Sequence, residues 1–516
     1  MLLPNLTSTA LAQGLDLGDI RRVQASGSGE ITTGDEVMGY YFMYNIDKES
    51  RKEFVYQLTI TDANLEVLQE KRIVRPKGTI TLGAKFNGEA IAVTLVTPKT
   101  NTVEVLIYDR QGERLGSRKF EMERKPFLQL AQQYSLMEED GSVSLLRPVP
   151  NKGFVLYLPE VEKGMGYTMH YLPNEGKGGW KKRHVVNRGK FQVANNLAAS
   201  EDYILTNILA SPKRNMTKNS LNVIEARSVE DGSVVFTHIP GKGSPSLAVT
   251  NAFYEPETET FVLGGMYYKP EANMMKDESI GVALQRIDLD GKRLESAKTT
   301  WTRAFAKIGR RKTEHLKRGG SVYIHRVLPT QGGGLTAIGE YYDDEVSAMG
   351  VAGALLSAAG GNNVTSEVSL KKIVLQDLFA FEFNAEFEFA NAKMFAKPKK
   401  SVELPLGFGL VSPGLIAKML DAYDAFDYSY AQAFPDRGQY TVAYRRLEPQ
   451  KGKLLKQSKF VFVTQYADET EPEEKVLDRA TKTTWTQYFP AKPGYVMITD
   501  YHRKEQKMSS RLEPVD

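Results

Sequence analysis

The 516-residue chain contains no cysteine, which excludes disulfides, thiolate metal sites and cysteine nucleophiles at once. Histidine is also sparse. His170, His184, His238, His315, His325 and His502 stand far apart, with no pair at helical metal-ligand spacing. No P-loop, dinucleotide fingerprint, H-E-x-x-H helix, EF-hand loop or G-x-S-x-G elbow occurs. The Gly-rich stretches "NEGKGGW" (174–180) and "GKGSPS" (241–246) do not lead from a strand into a helix, so they read as turns rather than phosphate cradles. No cofactor and no metal site is expected. An excess of one charge is missing too: 67 basic residues face 63 acidic ones, which gives a nucleic-acid partner no support.

Long hydrophobic runs are nearly absent as well. The closest approach is "EVSAMGVAGALLSAAGGNNV" (345–364), whose apolar part runs from Val346 to Ala359 before Gly360-Gly361-Asn362-Asn363 stops it. A helix of that length reaches only ~21 Å against a bilayer core of ~30 Å, so no transmembrane segment is expected. As a helix it places Met349, Ala352, Gly353 and Leu356 on one face with Leu355 beside them, a candidate partner contact. The alternative is a helix tucked onto its own domain.

What is abundant points to strands. Tyr (25) and Phe (23) far outnumber Trp (3), and apolar and polar residues alternate along much of the chain. One hairpin pattern recurs: an alternating strand, a polar turn with Asp, Asn or Gly, then a strand with Leu or Val near its start. It is read in "YQLTITDANLEVLQEKRI" (56–73), "VEVLIYDRQGERLGSRKF" (103–120), "LNVIEARSVEDGSVVFTHI" (221–239) and "VALQRIDLDGKRLESAKT" (282–299). Weaker copies are "LFAFEFNAEFEFANAKMF" (378–395) and "VAYRRLEPQKGKLLKQSKF" (442–460). Further strand pairs precede these hairpins. The expected fold is all-β, a β-propeller of seven or eight four-stranded blades with short helical insertions, the first and last strands sharing a blade by ring closure. A pair of β-sandwiches is the rival. The near-repeat of "AKTTWTR" (297–303) and "TKTTWTQ" (481–487) adds to the impression of repetition.

At the N-terminus, Ala10-Leu11-Ala12 before Gln13 fits the small-x-small rule of signal-peptide cleavage. The expected organisation is a signal-peptide remnant over 1–12 and a single propeller over 13–516, with insertions at 343–370 and 406–430. In the second insertion Ser412-Pro413 starts a helix carrying Leu415, Ile416, Met419, Leu420, Tyr423 and Phe426.

Candidate chemistry is thin. Glu340, Asp343 and Asp344, or Glu138, Glu139 and Asp140, could supply carboxylates, but glycoside cleavage needs two placed on opposite sides of a bond. Trp180, Trp301 and Trp485 could serve as sugar platforms, although a core or rim position suits each better. The basic stretch 303–320 makes Arg310, Arg311 and Lys312 a candidate anion contact.

The stretches "GYYFMYNIDKESRKEFVYQLTITDANLEVLQEKRI" (39–73), "GEYYDD" (339–344) and "LKKIVLQDLFAFEF" (370–383) resemble an uncharacterised family of secreted Bacteroidetes-type proteins with propeller-like repeats. The resemblance implies an exported propeller and transfers no catalytic residue. The expectation is a non-enzymatic binding or scaffold protein of the bacterial envelope (periplasmic, outer-membrane-associated or extracellular), acting through contacts with a protein partner in an envelope assembly. The alternative is a propeller that binds polysaccharide or cleaves glycosides.

Overall fold

The computed structural model describes residues 14–23, 27–33, 36–135, 145–161, 165–184, 191–211, 221–238, 247–270, 272, 277–309, 313–314, 316, 321–346, 371–403, 420, 425–449, 456–478 and 484–515. Four-stranded antiparallel units follow one another along the chain. Blade 1 runs Ser28–Thr33, Glu36–Lys48, Glu53–Asp62, Val67–Pro76; blade 2 runs Ile80–Phe86, Ala90–Thr97, Thr102–Asp109, Arg114–Glu121. Blades 3 and 4 begin at Leu146–Val149 and Phe191–Ala199, and a single parallel bridge, Met165 to Phe191, joins their sheets. Blades 5, 6 and 7 begin at Leu247–Glu255, Ser321–Pro329 and Tyr428–Phe434.

Blade 8 has Thr484–Pro490, Tyr495–His502 and Lys507–Pro514 from the C-terminal end, and Gly14–Leu17 supplies its outermost strand. Gly14 pairs with Arg511 and Leu17 with Met508. The first strand of each blade touches the first strand of the next, all the way round from blade 1 to blade 8 and back. The fold is therefore an eight-bladed propeller rather than a pair of sandwiches, and the shared blade is the eighth.

Its core is not one mass but a layer between every two successive blades. Tyr41 and Leu58 pack on Ile91 and Leu106 between blades 1 and 2. Leu205 packs with Phe261 between blades 4 and 5, and Leu284 with Phe379 between blades 5 and 6. The last layer, between blades 8 and 1, joins Met497 to Tyr40 and Phe42. A middle strand is thus covered on both faces, which is why Ala90–Thr97 (AIAVTLVT) and Thr260–Tyr267 (TFVLGGMY) read as near-continuous apolar runs.

The recurrent hairpin joins the third strand to the fourth, and four blades build it identically. Asp62, Asp109, Asp288 and Asn384 each accept, through the side chain, the N–H four residues on: Glu66 at 2.8 Å, Glu113 at 2.8 Å, Lys292 at 2.8 Å and Glu388 at 2.7 Å. The residue three places on is left-handed: Leu65 (φ 67°), Gly112 (78°), Gly291 (77°) and Phe387 (61°). This is a type I turn closed by a bulge. The anchor in blade 5 is therefore Asp288, although Asp290-Gly291 is the more conspicuous pair in the sequence. The stretch 442–460 is a different hairpin, the second to the third strand of blade 7.

Two helices lie among the described residues, α1 (Arg124–Ser135) and α2 (Trp301–Ile308). Helix α2 divides the two Thr-Thr-Trp stretches. Thr300 caps it by accepting the Arg303 N–H at 3.1 Å, so Trp301 is helical, whereas Trp485 sits in the inner strand of blade 8. The likeness of these stretches is therefore not a structural repeat. Of the first expected insertion, 343–346 continue a strand, Val346 pairing with Lys371. Of the second, Leu420 and Phe426 are buried in the layer beside blade 6, and Tyr428 already belongs to blade 7.

Candidate functional site

The densest polar constellation lies between blades 6 and 7. Glu340 stands in the middle of the apolar strand Leu335–Val346, where the ladder shifts register against Lys371–Phe383. The Lys397 ammonium reaches it at 3.0 Å and also binds Asp427 at 2.5 Å. Lys400 takes the other Asp427 oxygen at 2.7 Å and donates to the Ala425 carbonyl at 2.8 Å. The Asp427 and Tyr428 N–H groups donate to Glu340 at 3.0 and 2.9 Å. The side chains of Glu340 and Lys397 are both 0% exposed.

Burial pushes the Glu340 carboxyl up, against the pull of Lys397. Burial would lower Lys397, but Glu340 and Asp427 outweigh it and hold the ammonium above its ordinary value. Burial also opposes ionisation of Asp427, yet Lys397 and Lys400 keep it below the usual carboxylate range. Two carboxylates and two ammonium groups balance. Such a network ties the start of blade 7 to blade 6 through charges that are almost wholly buried, Lys400 alone keeping a partly exposed side chain.

His325, on the inner strand of blade 6, closes the network from below. Its ring stacks on Tyr428 at 4.3 Å and meets Phe426 edge-on at 4.7 Å. Burial, with Lys397 nearby, brings its pKa down to about 3. Glu340 lies 3.8 Å away but its charge is already committed to Lys397. The imidazole is neutral at neutral pH.

A second set of charged residues lies on the innermost strands of several blades. Lys85 comes from blade 2, Arg147 from blade 3, Arg326 from blade 6 and Glu30 from blade 1. Burial lowers Lys85; Glu30 opposes that and Arg147 adds to it. Burial likewise lowers Arg147, with Arg326 contributing.

Of the sequence candidates, Met349, Ala352, Gly353, Leu355 and Leu356 lie outside the described residues, as do Arg310, Arg311 and Lys312 and the carboxylates Glu138, Glu139 and Asp140. Glu340 is buried as described, and Asp343 is buried three residues along the same strand. Trp301 donates to the Ser279 carbonyl at 3.1 Å within the core, and Trp180 donates to the Val229 carbonyl at 2.8 Å while stacking on Tyr171. Neither presents a free sugar platform. No cluster of three His, Asp or Glu residues fit for a metal occurs among the described residues, and no helix there is long and apolar enough to cross a membrane. Sequence reading missed Lys397 and Asp427, and passed over the enclosed Lys85. A charge inside an apolar run, as in "LTAIGEYY" or "LGAKF", is the signal that could have found Glu340 and Lys85.

Comparison with solved structures gives distant likenesses. Prolyl oligopeptidase B from Galerina marginata, bound to a 35mer hydrolysis and macrocyclization substrate, aligns at 9% identity and a TM-score of 0.39, over 94% of this chain and 57% of that one. This chain thus spans little more than half the length of that enzyme. Quinohemoprotein alcohol dehydrogenase from Comamonas testosteroni aligns at 10% identity and 0.39, over 85% and 68%. The β-propeller domain of the Trilobed protease from Pyrococcus furiosus, described as having an open velcro topology, aligns at 10% and 0.34, over 87% and 98%. No curated protein matches the chain. One family model covers residues 1–516 from end to end, and the chain accordingly belongs to the family of unknown function DUF6770.

Proposed function

We propose that this propeller is a non-catalytic binding protein, exported to the bacterial envelope, that works through contact with a protein partner. The observation that carries the reading is a row of exposed apolar side chains on the rim. Leu68, Leu115, Val235 and Leu294 each occupy the second position of an outermost strand, in blades 1, 2, 4 and 5, and are between 40% and 59% exposed. The blades share one strand order, so these side chains fall along one edge of the ring beside the third-to-fourth hairpins. Apolar side chains repeated at one address suit a protein surface better than a sugar or a solvent. The sealed state of Glu340, Lys397 and Asp427 argues against acid–base turnover there. Export rests on the small-x-small site before Gln13, and the apolar stretch 347–361 is the second proposed contact.

Affinity capture from solubilised envelopes, run beside a glycan array and a glycosidase panel, tests this. The expected result is a stoichiometric protein partner that is lost on Leu68→Asp/Leu294→Asp substitution or on deletion of 347–361, with the thermal midpoint kept. Glycan binding or sugar release without a protein partner would establish the carbohydrate reading instead.

A further inference from the structure

Charge is sorted by sign around the rim. The outermost strands of blades 1, 2 and 3, Val67–Pro76, Arg114–Glu121 and Lys181–His184, together carry nine Lys and Arg side chains against two Glu. The third-to-fourth hairpin and outermost strand of blade 7 read "ADETEPEEK" (467–475), five carboxylates against one lysine. Val234–His238 of blade 4 has no Lys, Arg, Asp or Glu, so the basic stretch ends there.

The three basic strands make one face. Lys71 of blade 1 binds Glu113, in the hairpin of blade 2, at 2.9 Å. Arg118 of blade 2 donates to the Gly178 carbonyl of blade 3 at 3.1 Å. The Phe120 ring lies 4.6 Å from that of His170, which faces Lys181 in the ladder of blade 3. Carboxylates take up part of the excess: Glu113 on Lys71, Glu104 on Arg75, Glu121 on Lys119 and Glu160 on Arg183. Arg72, Arg114, Arg118 and Lys181 are exposed and form no ion pair among the described residues. On blade 7, Arg446 takes Glu474 at 2.7 Å. Asp468, Glu469, Glu471 and Glu473 are exposed and likewise form no ion pair among the described residues.

Charges on an outermost strand guard a sheet edge against strand pairing whatever their sign. That need does not sort bases onto three neighbouring blades and acids onto another. Blade 7 lies three places from blade 2 and four from blade 3 around the ring, so the two faces cannot meet within one molecule. Two copies bring them together. We propose that the basic face of blades 1 to 3 docks the acidic rim of blade 7 of a second copy of this chain. Each copy then keeps one face unused, so the contact is head-to-tail and growth continues past two copies until a ring closes. Exposed charges supply the attraction, so salt weakens it. Leu68 and Leu115 lie on the basic face, whereas Val235 and Leu294 of blades 4 and 5 stay open. This self-contact therefore does not rest on the envelope partner.

The test is sedimentation velocity on the purified full chain, over a concentration series at low and at high sodium chloride. The expected result is dimers and larger species that grow with concentration at low salt and dissolve at high salt. Arg72→Glu/Arg114→Glu/Lys181→Glu and Glu469→Lys/Glu471→Lys/Glu473→Lys each weaken association at least tenfold. Mixing these two variants in equal amounts restores it, since each supplies the face the other has lost. Thermal midpoints are read alongside; should a triple variant unfold, Arg114→Glu and Glu471→Lys take its place, with a smaller loss and the same recovery on mixing. A parent that stays monomeric at low salt, association that salt leaves unchanged, or a mixture no more associated than its components would overturn the proposal. A monomeric parent that still captures an envelope protein would remove this contact and leave the partner reading intact.

Discussion

At the scale of the residue, His325 shows how a buried ring makes stability depend on pH. Its pKa falls from an ordinary 6.5 to about 3 in the folded chain, first through burial and then through Lys397. Between those values the unfolded chain binds the proton and the folded one does not, so stability rises with pH across this window. The contribution is complete above the unfolded value and is lost as pH falls. His325→Phe keeps a ring against Tyr428 and removes the titration. Urea midpoints of the variant are expected to fall less steeply than those of the parent from pH 7 to pH 4, and parallel curves would contradict the assignment. Little of this was legible beforehand. Glu340, Lys397 and Asp427 are spread over 87 positions, and only the register between blades 6 and 7 brings them together.

At the scale of the element, the third-to-fourth hairpin was the most legible part of the chain because its chemistry is local. An Asp or Asn side chain, one left-handed residue and a bulge need no distant partner, so "TDANLE" and "YDRQGE" announce themselves. What the hairpin rests on was hidden. A Cβ at Gly291 would stand 2.7 Å from the Phe236 ring of blade 4, so the turn of one blade lies on the outer strand of the one before. Gly232 does the same against Trp180, at 2.7 Å. Gly291→Ala therefore meets both a positive φ and a neighbouring ring. Its expected cost is about 1–2 kcal/mol from the backbone alone, with more from displacing Phe236. Chemical denaturation checks this, and an unchanged midpoint would show that the turn lifts freely from blade 4. The Thr300 cap marks the opposite case, where a residue type that favours strands starts a helix because an N–H three residues on needs an acceptor.

At the scale of the whole molecule, the repeat was legible and its closure only half so. Strand alternation and turn spacing indicate blades, but the fourth strand of the last one comes from Gly14–Leu17 pairing with Lys507–Pro514, a contact with no local signature. The inner strands of different blades meet only once the ring is complete, so residues on them carry no joint signature in the sequence. Removing residues 1–17 is expected to leave Lys507–Pro514 as a bare edge, lowering the thermal midpoint and promoting edge-to-edge dimers. Light scattering and calorimetry would report both, and a monomer of unchanged midpoint would show the eighth blade to be complete with three strands.

The pairing of Gly14 with Arg511 also sets an order of events in time. The strand Gly14–Leu17 is among the last to find its place, since its partner is made almost 500 residues later. At ordinary synthesis rates the gap is roughly half a minute to two minutes. During that wait seven blades can assemble while the ring stays open as an arc, with blade 1 exposing the face that later meets blade 8. Tyr40, Phe42 and Tyr44 lie on that face. The growing chain therefore carries an uncovered aromatic face on a blade made long before its partner, which makes blade 1 a natural handhold for any chaperone that keeps the arc from closing too soon.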